Sequence, residues 1–224
     1  MDIKKIKEVI EIIKKKKYKA YLVGGSSRDF LLQRNFYDID IATSAPLNII
    51  KSLFEVVEDK GNNLGSIKIN YKGIIIDITR FRIETYDDSI YPHISEFVDD
   101  EEIDAKRRDF TINAIYLDLT NNEIVDPYNG IKDLFSYTLR LIGDVNIRIK
   151  EDPTRILRGL RIASKLNFII EENTKNAFIL NKDELKRLTK SKYEKEILKM
   201  KDEIGEVKAN KILEEYKIKE KLWI

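Results

Sequence analysis

Tyr21-Leu-Val-Gly-Gly-Ser-Ser-Arg-Asp-Phe-Leu-Leu-Gln-Arg-Asn-Phe-Tyr-Asp-Ile-Asp40 sets a glycine turn ahead of two carboxylates one residue apart. The apolar run from Ala20 to Val23 reads as a buried strand, broken by Gly24-Gly25. Ser26 or Ser27 is placed to cap a helix through Leu32, with Arg28 and Asp29 in its first turn. Asp38-Ile39-Asp40-Ile41 alternates as a strand does. Both aspartates are therefore expected on one face, and Ile39 and Ile41 on the other. Two carboxylates beside glycine amides and a helix N-terminus can hold divalent metals and a polyphosphate together. The plain alternative is a strand with two solvated aspartates after an ordinary strand–turn–helix.

The 224-residue chain is long enough for one large or two small domains. Charged residues make up 36% of it, yet the net charge is only +2, so any RNA-binding surface must come from local patches. The basic run Lys14–Lys17 is the solvated end of an N-terminal helix. The absence of cysteine excludes disulfides, zinc–thiolate sites and cysteine nucleophiles, and a single histidine, His93, argues against a histidine metal site or triad. Apolar runs are too short to span a membrane and the N-terminus has no signal-peptide core, so a soluble, cytoplasmic protein with no membrane partner is expected.

Ile3, Ile6, Val9, Ile10, Ile12 and Ile13 form a helical stripe that Asp2 can cap. Pro46 starts a helix to about Val57, and Ile67 to Phe81 reads as a hairpin turning near Lys72-Gly73. Residues 84–103 are polar and acidic with no clear period and read as a mobile loop. A helical segment near Phe110–Ala114 and strands around Ile115–Leu119 and Glu123–Val125 follow, and from about Asn146 the pattern is helical throughout. Mixed elements first and helices afterwards predict an α+β head with a helical extension.

Three further constellations carry chemistry. Asp77 lies on a strand that can pair near Asp38 and Asp40, where it can act as base or extra ligand, or simply pair with Arg80 or Arg82. In Asp104-Ala-Lys-Arg-Arg-Asp-Phe-Thr-Ile-Asn113, the arginines offer forked donors to phosphate, and Asp109 or Asn113 can read ribose hydroxyls. A charged helix start explains the same residues without a ligand. In Glu151-Asp-Pro-Thr-Arg-Ile-Leu-Arg-Gly-Leu-Arg161, Asp152 and Arg155 are helix-surface neighbours, and Arg158 and Arg161 continue the row. A carboxylate beside a guanidinium matches the donor and acceptor edges of cytosine and adenine, whereas uracil and guanine would leave groups unpaired at about 1–3 kcal/mol each. Asp152 as an N-cap before Pro153 is the competing reading.

The glycine-plus-Asp-x-Asp stretch is similar to that of nucleotidyltransferases related to DNA polymerase β. With Arg107-Arg-Asp-Phe-Thr-x-Asn113-Ala, Val125-Asp-Pro-Tyr-x-Gly130, Arg140-x-x-Gly-Asp144 and Glu151-Asp-x-x-Arg155-x-x-Arg158, the chain resembles the class II tRNA nucleotidyltransferases from about Tyr18 to Leu198. These are the CCA-adding enzymes and their poly(A) polymerase relatives. The resemblance implies a polymerase-β-type head with a mixed sheet and flanking helices over 1–143, then an all-helical neck over 144–224. It implies that Asp38 and Asp40 bind two magnesium ions; Asp77, from its strand position alone, is counted with them as a candidate third catalytic carboxylate. Gly24, Gly25 and Arg28 would hold the triphosphate, and Arg108, Asp109 and Asn113 the ribose and phosphates. Asp152 and Arg155 would choose CTP and then ATP, supported by Arg158 and Arg161.

Residues 84–103 correspond to that family's flexible loop, needed for the switch to ATP, but Asp87–Pro92 lacks its usual glycine–arginine pair. Ser27 stands where valine is usual, and the chain ends soon after the neck, without the body and tail domains that grip tRNA. Either it is a minimal natural form, or a second copy or a helper protein supplies the grip. The expected activity is addition of CMP and AMP to tRNA or other RNA 3′ ends. An A-adding enzyme or poly(A) polymerase is the nearest alternative, and a non-catalytic RNA-binding module the more distant one.

Overall fold

Buried isoleucines on three neighbouring strands share one pleated surface, and that pleat fixes where the carboxylates point. A computed structural model describes residues 2–59, 65–87, 89–90 and 92–218. The described residues fall into two compact units. One draws on Met1–Thr85, His93–Arg108 and Ile112–Ile131, the other on Tyr86–Pro92, Asp109–Thr111 and Lys132–Ile224.

The first unit runs α1 (Ile3–Lys15), β1 (Ala20–Leu22), α2 (Gly24–Leu31), β2 (Asp40–Thr43), α3 (Leu47–Leu53), β3 (Glu55–Asp59), β4 (Ser66–Tyr71), β5 (Ile74–Arg80), β6 (Arg82–Thr85), β7 (His93–Phe97), α4 (Glu101–Ala105), β8 (Tyr116–Asp118) and β9 (Glu123–Val125). Seven strands form one mixed sheet in the order β3-β4-β5-β2-β1-β8-β9, with β2 and β5 parallel. Asp2 caps α1 by accepting from the Lys5 amide at 3.3 Å, and Ile6, Val9, Ile10 and Ile13 are buried. The β4–β5 turn falls at Lys72-Gly73 with both residues at positive φ, as the hairpin reading expects.

Ile67 of β4, Ile78 of β5 and Ile41 of β2 stand in register and are fully buried. The adjacent row is Lys68, Asp77 and Asp40, also in register, and the pleat turns it to the opposite face. Apolar burial on one side thus delivers charge to the other.

The structure corrects several sequence expectations in this unit. Helix α2 starts at Gly24 with Val23 in the cap position, so neither serine caps it. Instead the Ser26 hydroxyl donates to the Val23 carbonyl (2.7 Å) and accepts from the Asp40 amide (3.2 Å), tying the helix to β2. Asp38 precedes β2 rather than lying in it. Helix α3 ends at Leu53, and Glu55–Asp59 pair with β4 as an exposed, charged edge strand. The β-branched Val56 and Val57 suit that edge better than a helix end. The described residues of 84–103 are not a structureless loop, since β6 and β7 pair as an antiparallel ribbon and Asp100 caps α4; positions 88 and 91 of the expected loop lie outside the described residues. Both ribbon strands are mostly polar, and Ile83, Ile94 and Phe97 do not make an apolar alternation that would reveal them.

The chain passes through α5 (Gly130–Phe135) into β10 (Thr138–Leu139), α6 (Val145–Glu151), α7 (Thr154–Leu166), β11 (Ile169–Ile170), α8 (Glu172–Leu180), α9 (Lys190–Ile204) and α10 (Glu206–Glu215). The predicted helical run holds except at Ile169–Ile170, which pair in parallel with β10. Within this second unit Gly159 of α7 packs so closely that an added Cβ would lie 2.5 Å from the Phe178 ring. No helix among the described residues is long and apolar enough to cross a membrane.

Candidate functional site

Asp40 sits at the start of β2, half-buried, directly beside Asp77 across the parallel β2–β5 pair. Burial raises its pKa, and Asp77 and Asp38 push it further up, while the Arg108 guanidinium and Lys68 work the other way. Asp38 is exposed two residues earlier. Gly24 meets this carboxylate from the turn: its φ is +70°, and a Cβ there would stand 3.3 Å from Asp40 Oδ2. Any other residue would be strained in backbone and crowd the acid, which is why the turn needs glycine.

Arg28 folds back over the turn, with a Cβ on Gly25 lying 3.6 Å from its Nη2. Its guanidinium is held by a two-pronged contact to Asp29 (2.9 Å each) and donates to Asn113 Oδ1 at 2.9 Å. Asn113, predicted to read a ribose hydroxyl, thus orients Arg28 through its carbonyl oxygen.

Arg108 is anchored from behind. Its Nε donates to the Tyr116 hydroxyl (2.7 Å), its Nη2 to Asp104 Oδ2 (3.1 Å), and it lies over the Tyr116 ring at 4.9 Å. Asp104 is fully buried and accepts from four donors: the Arg82 amide, Arg107, Arg108 and the Tyr116 hydroxyl. Burial alone would raise its pKa, but the two arginines and the tyrosine hold it down at about 2. Sequence reading assigned Asp104 no role. Its i, i+3 and i, i+4 spacing to Arg107 and Arg108 was the available signal.

The opposite edge of the row ends in a cation. Lys68 Nζ contacts Asp77 Oδ2 at 2.5 Å, a partner the sequence reading did not weigh. Among the described residues, no group of three carboxylate or imidazole side chains converges as a metal cage. A carboxylate pair still suits magnesium, which takes hard oxygen ligands and commonly binds one or two carboxylates together with substrate phosphates.

The second unit carries its own cluster. Asp109 falls here, one residue from Arg108 but in the other unit, and its Oδ2 meets Arg158 at 2.7 Å. Asp152 Oδ1 accepts from the Thr154 amide (3.1 Å) and hydroxyl (2.6 Å), so the carboxylate does serve the start of α7, although Pro153 holds the cap position. Arg155 is 2% exposed and does not pair with Asp152. It donates to the Arg148 carbonyl and to Glu151 Oε2 (3.2 Å), reaches the Tyr86 hydroxyl at 3.4 Å and lies over that ring at 5.7 Å. Glu151 also takes Arg148 at 2.5 Å. Arg161 turns away along α7 to meet Glu203 of α9 at 2.7 Å. Glu151, quoted in the sequence motif without a role, completes this cluster with Arg148 and Tyr86, which were not singled out from sequence.

The geometry is matched by known proteins. The CCA-adding enzyme of Lactobacillus helveticus is 40% identical over 193 residues, covering 86% of this chain and 48% of that protein. That of Staphylococcus haemolyticus is 44% identical over 169 residues, covering 75% and 42%. The crystal structure of the Bacillus stearothermophilus CCA-adding enzyme in complex with CTP superposes with a TM-score of 0.84 at 31% identity, over 95% of this chain and 51% of that one. The chain therefore spans about half the length of the curated relatives it matches. Residues 20–140, which hold the glycine turn and the carboxylate row, match the model of the poly A polymerase head domain, and the protein belongs to that family.

Proposed function

We propose that the chain is a metal-dependent, template-independent nucleotidyltransferase that adds CMP and AMP to RNA 3′ ends, with tRNA as substrate. The reading rests on one observation above all: Asp40 is aligned beside Asp77 and held against the Gly24 turn, in a chain whose relatives are CCA-adding enzymes. The donor set fits magnesium, with Asp38 and Asp40 as its carboxylate ligands. When bound, magnesium supplies charge neutralisation and lowers the pKa of the attacking hydroxyl.

The chain's own residues do the rest. Gly24 and Gly25 carry no side chain between the backbone and Asp40 or Arg28, which suits close approach of a triphosphate. Arg28 has two of its five N–H groups uncommitted among the described residues and turns them to phosphate. Arg108, pinned by Asp104 and Tyr116, offers a preorganised positive charge to the phosphates. In-line attack by the 3′-hydroxyl on the α-phosphate then breaks its bond to the β-phosphate bridge and releases pyrophosphate. Asp109 and Arg158 support ribose and base, and Asp152 and Arg155 choose the base, with Arg161 supporting from further along α7.

Base choice has a direct test. Asp152→Ala is expected to cut the preference for CTP over UTP about tenfold or more while retaining transfer, because one unpaired buried group is worth roughly 1–3 kcal/mol. Competition assays with the two nucleotides measure it, and unchanged selectivity would refute the role. The match to a poly A polymerase head supports a second reading, polyadenylation. That enzyme would make long tails from ATP alone.

A further inference from the structure

We propose that Lys68 is a tethered counter-ion that keeps Asp77 out of the divalent-cation site, leaving Asp38 and Asp40 as the carboxylates that take metal. The inference rests on the metal-dependent reading above and concerns which carboxylates that site uses. Three observations carry it. Lys68, Asp77 and Asp40 occupy one cross-strand row on β4, β5 and β2, so the ammonium is built into the same face as the acids. Its Nζ lies 2.5 Å from Asp77 Oδ2, and both side chains are only about one-quarter exposed, at 27% and 26%. Its charge also reaches Asp40 and Asp38.

A carboxylate that shares its oxygen with a fixed ammonium is a poor ligand, because a cation must displace the lysine before binding there. The lysine also lowers the negative potential that would draw a dication to Asp40. Metal taken up with the triphosphate escapes this penalty, since the phosphates bring their own charge and ligands. The row is therefore suited to loading metal together with nucleotide rather than ahead of it.

The test is Mn2+ binding to the full chain without nucleotide, read from the free-Mn2+ electron paramagnetic resonance signal. Lys68→Met is expected to tighten Mn2+ binding by about five- to tenfold, the order of effect for removing a unit charge a few ångströms away at a part-exposed site. Lys68→Arg should bind as the parent does. The double variant Lys68→Met/Asp77→Asn removes an ion pair of zero net charge and should return to within about twofold of the parent. Lys68→Gln gives the same gain as methionine if the methionine variant fails to fold. Unchanged or weaker binding in Lys68→Met would overturn the proposal, and so would a tenfold loss in the double variant, which would make Asp77 a ligand. Asp40→Asn separates the two ideas: if it binds Mn2+ as well as the parent does, the metal reading itself has failed.

Discussion

Asp40→Asn is expected to abolish measurable nucleotide transfer, with a fall of at least about a thousandfold, while leaving the fold intact. Metal-bound charge stabilisation is worth several kcal/mol, and each tenfold in rate is about 1.4 kcal/mol. The same change should not lower the metal-free melting temperature. Burial together with Asp77 and Asp38 raises the Asp40 pKa, so its ionised form is disfavoured by the fold, and an amide of equal size relieves that repulsion. Loss of activity with equal or higher stability is the signature of a site kept for function. A variant that transfers nucleotide at the parent rate would place the chemistry elsewhere.

Asp104→Ala is expected to be the most destabilising single substitution in the first unit. It removes the shared acceptor of Arg107, Arg108, the Tyr116 hydroxyl and the Arg82 amide, all at a fully buried position. Stranding buried charge in this way costs about 3–5 kcal/mol. For a chain of this size that lowers the melting temperature by roughly 10 °C, measurable by circular dichroism. The parent's pH dependence carries the same information. Burial raises the Asp104 pKa, but Arg107, Arg108 and Tyr116 overcome it and hold it at about 2, below the ordinary 3.8. A depressed carboxylate pKa contributes stability that is fully present above the unfolded value and is lost as pH falls through the folded one. About 2 kcal/mol should therefore disappear between pH 4 and pH 2 in the parent and be absent from the alanine variant. An alanine variant as stable as the parent, with the same acid limb, would show that Asp104 is not the anchor.

Local pattern made much of this protein legible. The run Ala20 to Val23, the glycine pair and the alternation around Asp40 each depend on neighbours within a few residues, and the structure has a strand, the glycine-led start of a helix and a strand there. Asp77 was also within reach, because an isoleucine alternation reveals which residues face away from the core. What escaped depends on register and on distant partners. Lys68 becomes part of the carboxylate row only because β4 pairs with β5 so that residues 68 and 77 coincide. Asp104 gathers donors from positions 82, 107, 108 and 116, and no one segment announces that. The ribbon of β6 and β7 was hidden by polarity, although backbone pairing joins its two strands. Arg108 and Asp109 are adjacent in sequence yet belong to different compact units, a division that a motif cannot express.

Transfer of C and A to an RNA 3′ end is the activity proposed for this chain. Its most direct test is extension of a tRNA that stops before its CCA, using the full chain with Mg2+ and one nucleotide at a time. The account predicts that CTP alone gives a short, defined addition, that ATP then adds to that product, and that UTP and GTP give little. Long tails from ATP alone would identify a polyadenylating enzyme, and no incorporation from any nucleotide on any RNA would contradict the account.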